Sequence, residues 1–102
     1  MKLLWTVPAV DDLECIRNYI ARDSELYAAG FVEKVLAAID KLELFPELGR
    51  KVREIDDQNV RELLFQNYRI VYRTHRDAVQ ILTIIHGARE IGLLPVKPWD
   101  IS

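Results

Sequence analysis

An α+β fold of order β-α-α-β-β-β is predicted by three features of the sequence. A short strand-like opening runs into Pro8, two successive stretches carry helical apolar spacing, and three later runs change to a period of two. The expected architecture is a small, mainly antiparallel sheet with a helical hairpin packed on one face. The chain has 102 residues, 50% of them hydrophobic and 29% charged, which suits one domain over residues 1–102 with one core.

Taken in order, Lys2–Val7 (KLLWTV) has the aromatic and β-branched content of a strand, and Pro8 suits the first turn of a helix, where its missing N–H costs nothing. The first helix is expected from Ala9 to about Ala21. Val10, Leu13, Ile16, Tyr19 and Ile20 supply its apolar stripe, with Asp11, Asp12 and Glu14 near its positive end. Asp23-Ser24 can cap a second helix over Glu25–Phe45, whose inward positions read as Ala28, Val32, Val35, Ile39 and Leu42; Pro46 and Gly49 stop it. Arg50–Asn59 lacks any period and reads as a loop. Val60–Phe65, Tyr68–Arg73 and Val79–Ile85 are strand-like, joined by short polar turns into a meander. In the middle run Tyr68, Ile70 and Tyr72 oppose Arg69, Val71 and Arg73, whereas the last run is almost wholly apolar, as a strand covered on both faces would be. Residues 91–102 read as an irregular tail, broken by Pro95 and Pro98 but able to pack through Leu94 and Trp99.

Composition narrows the function. No apolar run reaches the roughly 18 residues of a membrane span, and the opening is too soon polar for a signal peptide, so a cytoplasmic location without membrane association is expected. Cys15 is the one cysteine, which excludes an internal disulfide and a cysteine metal cluster; it reads as a half-buried helix residue. The net charge of −2 hides an asymmetry: residues 1–48 hold five Lys/Arg against nine Asp/Glu, residues 49–76 seven against four. The basic surface therefore lies on the strand half, where it can attract nucleic acid or an acidic protein. No Gly-rich phosphate loop, zinc-protease motif or nucleophile elbow is present, and His75 and His86 are the available neutral-pH bases. Neither a metal nor a cofactor is expected. Asp11/Asp12 and Asp56/Asp57 are adjacent pairs whose side chains diverge on a helix, so they read as solvated caps or loop residues.

What remains is a basic and aromatic set: Arg61, Arg69, Arg73, Tyr68, Tyr72, His86 and Arg89. In a metal-independent nuclease, arginines would stabilise the phosphorane charge while His or Tyr moved protons between the 2′-OH and the leaving 5′-oxygen. The plainer alternative is that Arg69 and Arg89 pair with Glu62, Glu90 or main-chain carbonyls and order the sheet edge.

The ordered set Trp5, Pro8-Ala9, Asp12-Leu13, Ile16, Tyr19-Ile20, Phe45-Pro46, Gly49-Arg50, Val60-Arg61-Glu62-Leu63, Tyr68-Arg69-Ile70-Val71-Tyr72-Arg73 and His86-Gly87-Ala88-Arg89 resembles the ParE/RelE toxin superfamily over nearly the whole chain. The resemblance is closer to ParE. It implies the toxin of a type II toxin–antitoxin pair, of the kind also associated with plasmid stabilisation. A ParE-like member would inhibit DNA gyrase without chemistry of its own, with Arg69, Arg73 and Arg89 as target-binding candidates. A RelE-like member would cut mRNA on the ribosome through Arg61, Arg69, His86 and Arg89, but Glu62, Leu63 and Leu64 stand where more basic residues would be wanted, and Ile91–Val96 offers no late Tyr or His. Mild acidity also suits a protein target better than ribosomal RNA. A third reading is a non-toxic member that only binds its antitoxin. In each case the implied partner is a cognate antitoxin whose disordered segment folds on the toxin, burying apolar residues in a groove and adding a strand or helix, with the helical hairpin and the sheet edge as candidate contacts but no antitoxin-binding residue specified; operator DNA is reached through that antitoxin.

Overall fold

The computed structural model describes residues 1–87, so Arg89 and the tail over 91–102 lie outside the described residues. Within them the order is β1 (Lys2–Trp5), α1 (Val7–Ala21), α2 (Glu25–Asp40), a 3-10 turn (Lys41–Glu43), β2 (Arg50–Lys51), β3 (Val60–Phe65), β4 (Tyr68–His75) and β5 (Ala78–His86). The five strands form one sheet in the order β1-β5-β4-β3-β2. Only the β1–β5 pairing is parallel; the other three are antiparallel. The mainly antiparallel α+β architecture with a helical hairpin against the sheet is therefore the observed one.

Thr6 ends β1 and starts α1. Its hydroxyl oxygen accepts from the Ala9 amide at 3.4 Å while its hydroxyl donates to the Ile81 carbonyl at 2.7 Å, so one side chain caps the helix and fastens it to β5. Because α1 begins at Val7, Asp12 falls in the second turn and is not a solvated cap. Its carboxylate accepts from the Thr83 hydroxyl and, at 3.1 Å, from the Ile84 amide. β1 runs out of partners at Ile81, and Asp12 satisfies β5 beyond that point. Leu13, Ile16 and Ile20 face the core as expected, but Val10 and Tyr19, read as part of the same stripe, are exposed, and Cys15 is exposed and not half-buried.

Ser24 caps α2 by accepting from the Tyr27 amide at 3.0 Å. The helix ends at Asp40, short of the expected Phe45, with the 3-10 turn continuing the direction. Its inward stripe is Ala28, Phe31, Val35 and Ile39; Phe31 takes the place assigned to Val32, because both fit the three-to-four spacing and the larger ring fills the space under the sheet. The Phe31 ring meets the edges of Phe65 and Tyr68 at centroid distances of 5.6 and 5.4 Å.

Alternation divides the sheet. Ile70, Tyr72, Val79, Ile81 and Ile84 face the hairpin, while Val60, Val71, Leu82 and Ile85 form a second cluster with Val52 and partly buried Ile55 from the β2–β3 connection. β5 thus contributes to both clusters. A register shift opposite Val71 and Tyr72 inserts Leu82 into β5 and carries it from one apolar pattern to the next. The segment expected to be a loop, residues 50–59, opens with a two-residue strand, too short to show a period, in which Arg50 pairs with Glu62 and Lys51 with Arg61.

Candidate functional site

At the β3–β4 turn, the ends of β2, β4 and β5 meet around a cleft of about 650 Å³. Arg50 and Lys51 come from β2, Arg53 and Glu54 from the connection after it, Glu62 from β3, Tyr68 and Arg69 from β4, and His86 from the end of β5. Arg50, Lys51, Arg53 and Arg69 of the basic half of the sequence are thereby gathered on one edge. Most of these positions fall outside the expected strand patterns, which is why Arg50, Lys51, Arg53 and Glu54 were not legible as site residues.

Arg69 lies at the bottom of this cluster, with 7% of its surface exposed. Its guanidinium donates to both Glu54 oxygens at 2.8 and 2.9 Å and through Nε to Glu62 at 2.5 Å. Glu62, 2% exposed, also accepts from Arg50 Nε at 3.1 Å. Two carboxylates hold one buried guanidinium by a bidentate fork and a third hydrogen bond, a geometry that fixes side chains firmly. The fork holds the Glu54 carboxyl below the usual carboxylate range, against an opposing desolvation effect. The same bonds, Glu54 foremost, raise the Arg69 guanidinium against its burial.

Tyr68 and His86 line the cleft with Arg69, whereas Arg61, Tyr72 and Arg73 do not. Arg61 pairs in register with Tyr72 on the hairpin face and donates to the Gly49 carbonyl at 2.9 Å. Arg69 points to the opposite face, and Tyr72 lies three residues along β4, roughly 10 Å away at strand rise. Arg73 is further along that strand and donates to the Gln80 side chain at 2.9 Å. His86 is exposed, opposite Tyr68, with the two rings edge-to-face at 5.8 Å. Arg89 lies outside the described residues. The set read as one phosphate-binding group is therefore split: Tyr68, Arg69 and His86 share the cleft, while Arg61 and Tyr72 lie on the other face and Arg73 further along β4.

Tyr72 needs a correction of its own. It is fully buried, and its hydroxyl donates to the Pro46 carbonyl at 2.7 Å while accepting from the Gly49 amide at 2.8 Å. Burial pushes its phenol upward, so it neither binds phosphate nor exchanges a proton at neutral pH. Instead it pins the segment that presents Leu44, Phe45 and Leu48 to solvent. Gly49 is required there, since a Cβ would stand 2.6 Å from the Glu62 carbonyl and 2.7 Å from the Tyr72 ring.

Beside the cleft, across Gln66, is an apolar groove of about 370 Å³ on α2, formed by Leu26, Tyr27, Gly30, Phe31 and Lys34. Leu26 is 86% exposed and Tyr27 58%. No group of His, Cys, Asp and Glu among the described residues could hold a metal, and no described helix is long and apolar enough to cross a membrane.

The chain is 35% identical over 91 residues to the protein Y4kP of Sinorhizobium fredii, covering 87% of this chain and 91% of that one. It is also 35% identical over 89 residues to toxin RelE2 of Caulobacter vibrioides, covering 86% and 97%. Among solved structures it is similar to the chromosomal ParDE TA system from P. aeruginosa, with a TM-score of 0.71, 25% identity, and 84% and 95% of the two chains covered. The family model described as ParE toxin of type II toxin-antitoxin system, parDE, matches residues 3–91, and the chain belongs to that family.

Proposed function

We propose that this toxin acts in the ParE manner, as an inhibitor of DNA gyrase with no chemistry of its own, and that a cognate antitoxin neutralises it. The observation that supports this most is the state of Arg69. A nuclease arginine must present its charge to a phosphate in the transition state, whereas this one is already neutralised by Glu54 and Glu62. Arg61 is on the other face, and His86, which lines the cleft on the strand next to Arg69, stands beside a guanidinium already held by two carboxylates. Arg73 and Arg89 remain in the proposed target-binding set, whereas Arg69, held by Glu54 and Glu62, orders that edge without presenting its charge. The partner reading is supported by the family and by the ParDE system it resembles; operator DNA would be reached through the antitoxin.

The competing reading, a ribosome-dependent endoribonuclease using Arg61, Arg69, His86 and Arg89, is favoured by the relative named RelE2. Two assays with the purified protein separate them: supercoiling by DNA gyrase, and in vitro translation with the mRNA ends mapped. Lost supercoiling with intact mRNA is expected. Cleaved mRNA with normal supercoiling would overturn the gyrase reading and require the Arg69 cluster to open on the ribosome.

A further inference from the structure

Between α2 and β2 the chain makes a turn whose side chains and backbone are treated in opposite ways. Leu44, Phe45 and Leu48 are 79%, 60% and 52% exposed, three large apolar side chains within five residues. The backbone that carries them is tied down from several directions. The Met1 ammonium donates to the Glu43 carbonyl at 3.0 Å, the buried Tyr72 hydroxyl donates to the Pro46 carbonyl and accepts from the Gly49 amide, and Arg61 donates to the Gly49 carbonyl at 2.9 Å. Within the turn, the Phe45 amide donates to the Lys41 carbonyl and the Leu48 amide to the Phe45 carbonyl. A loose apolar loop would collapse on its own side chains; this one is held with them in solvent. An apolar surface made rigid before contact is the form in which a protein presents a docking anchor, because little ordering is left to oppose binding.

Shape and charge select the occupant. Leu44, Phe45, Pro46, Glu47 and Leu48 surround a shallow depression of about 370 Å³, and Glu47 is the one charged residue lining it. Glu47 forms no ion pair among the described residues. A nucleic acid is repelled by that carboxylate and has its cations elsewhere, at Arg50, Lys51 and Arg53 in the cleft. A second copy would bring Glu47 against Glu47 about a two-fold axis centred on the turn. At roughly 150–250 Å² for a whole aromatic side chain, three partly exposed residues also fall short of the about 800 Å² per partner that a stable dimer buries. An apolar socket in a different folded protein, with a cation at its rim, matches both the apolar knob and its charge. We infer that this turn anchors the toxin on its protein target: Phe45 and Leu48 enter an apolar socket there, and Glu47 meets an arginine or lysine beside it. This rests on the reading of DNA gyrase as the target.

The test measures binding of the whole chain to purified DNA gyrase by calorimetry at two salt concentrations, with thermal unfolding of every variant and ultracentrifugation of the free chain. Phe45→Ala and Glu47→Lys should unfold close to the wild-type temperature, because both side chains are already mostly in solvent. Phe45→Ala should nonetheless bind gyrase at least about tenfold more weakly, as loss of an anchor does. Glu47→Lys should weaken binding most at low salt, where a charge pair is least screened. Leu26→Ala, which removes an exposed apolar side chain from α2, should bind as wild type does. Gyrase bound by Phe45→Ala and Glu47→Lys as tightly as by wild type would overturn the anchor and leave the gyrase reading standing. A wild-type chain that does not bind gyrase would overturn that reading and the anchor with it. If Phe45→Ala keeps gyrase but loses the antitoxin, or turns a dimeric chain into a monomer, the turn belongs to the antitoxin or to a second copy and the inference fails.

Discussion

Arg69 shows how much a single side chain's partners decide its role. The sequence offers an arginine on a strand with family precedent for binding phosphate; the fold surrounds it with Glu54 and Glu62. Glu62→Leu should cost about 3 kcal/mol in urea unfolding, since it leaves Arg69 with one exposed carboxylate and Arg50 with none. The cluster also gives a pH signature. Glu54 has a folded pKa below its ordinary 4.5, so its contribution is fully present above that pH and is lost as pH falls through the lower folded value. Stability measured from pH 6 down to pH 3 should therefore drop more steeply in wild type than in Glu54→Gln, which starts less stable at neutral pH. Equal slopes would show that the fork is open in solution. The pairing of Arg69 with Glu62 was legible from alternation, because both occupy the same face of adjacent strands. Glu54 was not, since it lies in a segment without a period.

Among the elements, the connection from α2 to β3 owes its shape to Tyr72, a residue of neither. Tyr72→Phe should destabilise by about 1–3 kcal/mol, the cost of leaving the buried Gly49 amide unpaired, and amide hydrogen exchange at residues 44–49 should accelerate with it. Gly49→Ala should be worse, because its Cβ would collide with main chain that cannot move aside. A Tyr72→Phe protein as stable as wild type would show that water replaces the phenol. The helices and long strands were readable because periods of 3.6 and 2 persist over enough residues to be recognised. β2 was not, because two residues cannot show a period, and the choice between Val32 and Phe31 turned on ring size, which spacing does not encode. Asp12 was misread for a related reason: adjacency to Asp11 suggested a cap, while its actual partners, Thr83 and Ile84, are distant in sequence.

At the scale of the molecule, charge separates binding modes. The basic edge is offset by the carboxylates of Glu54 and Glu62 and by the acidic hairpin, so the chain alone should not be retained by duplex DNA at about 150 mM salt, and any binding at low salt should have a shallow salt slope. Tight, steeply salt-dependent binding by the purified toxin would contradict operator recognition through the antitoxin. The position of the basic surface was visible in sequence as an excess of Lys/Arg over residues 49–76; its division between paired and unpaired cations was not, because that depends on which carboxylates the fold folds inward. The parallel pairing of β1 with β5 has a consequence for synthesis. Lys2–Trp5 find their partners at residues 78–81, and Thr6 and Asp12 theirs at 81–84. At about 5–20 residues per second, the amino-terminal strand waits several seconds for its neighbour in the sheet to be made. A nascent chain cut short anywhere before β5 lacks that partner, so a truncated message yields a fragment without the toxin's fold, and the poison is armed only once residues 78–86 have been made.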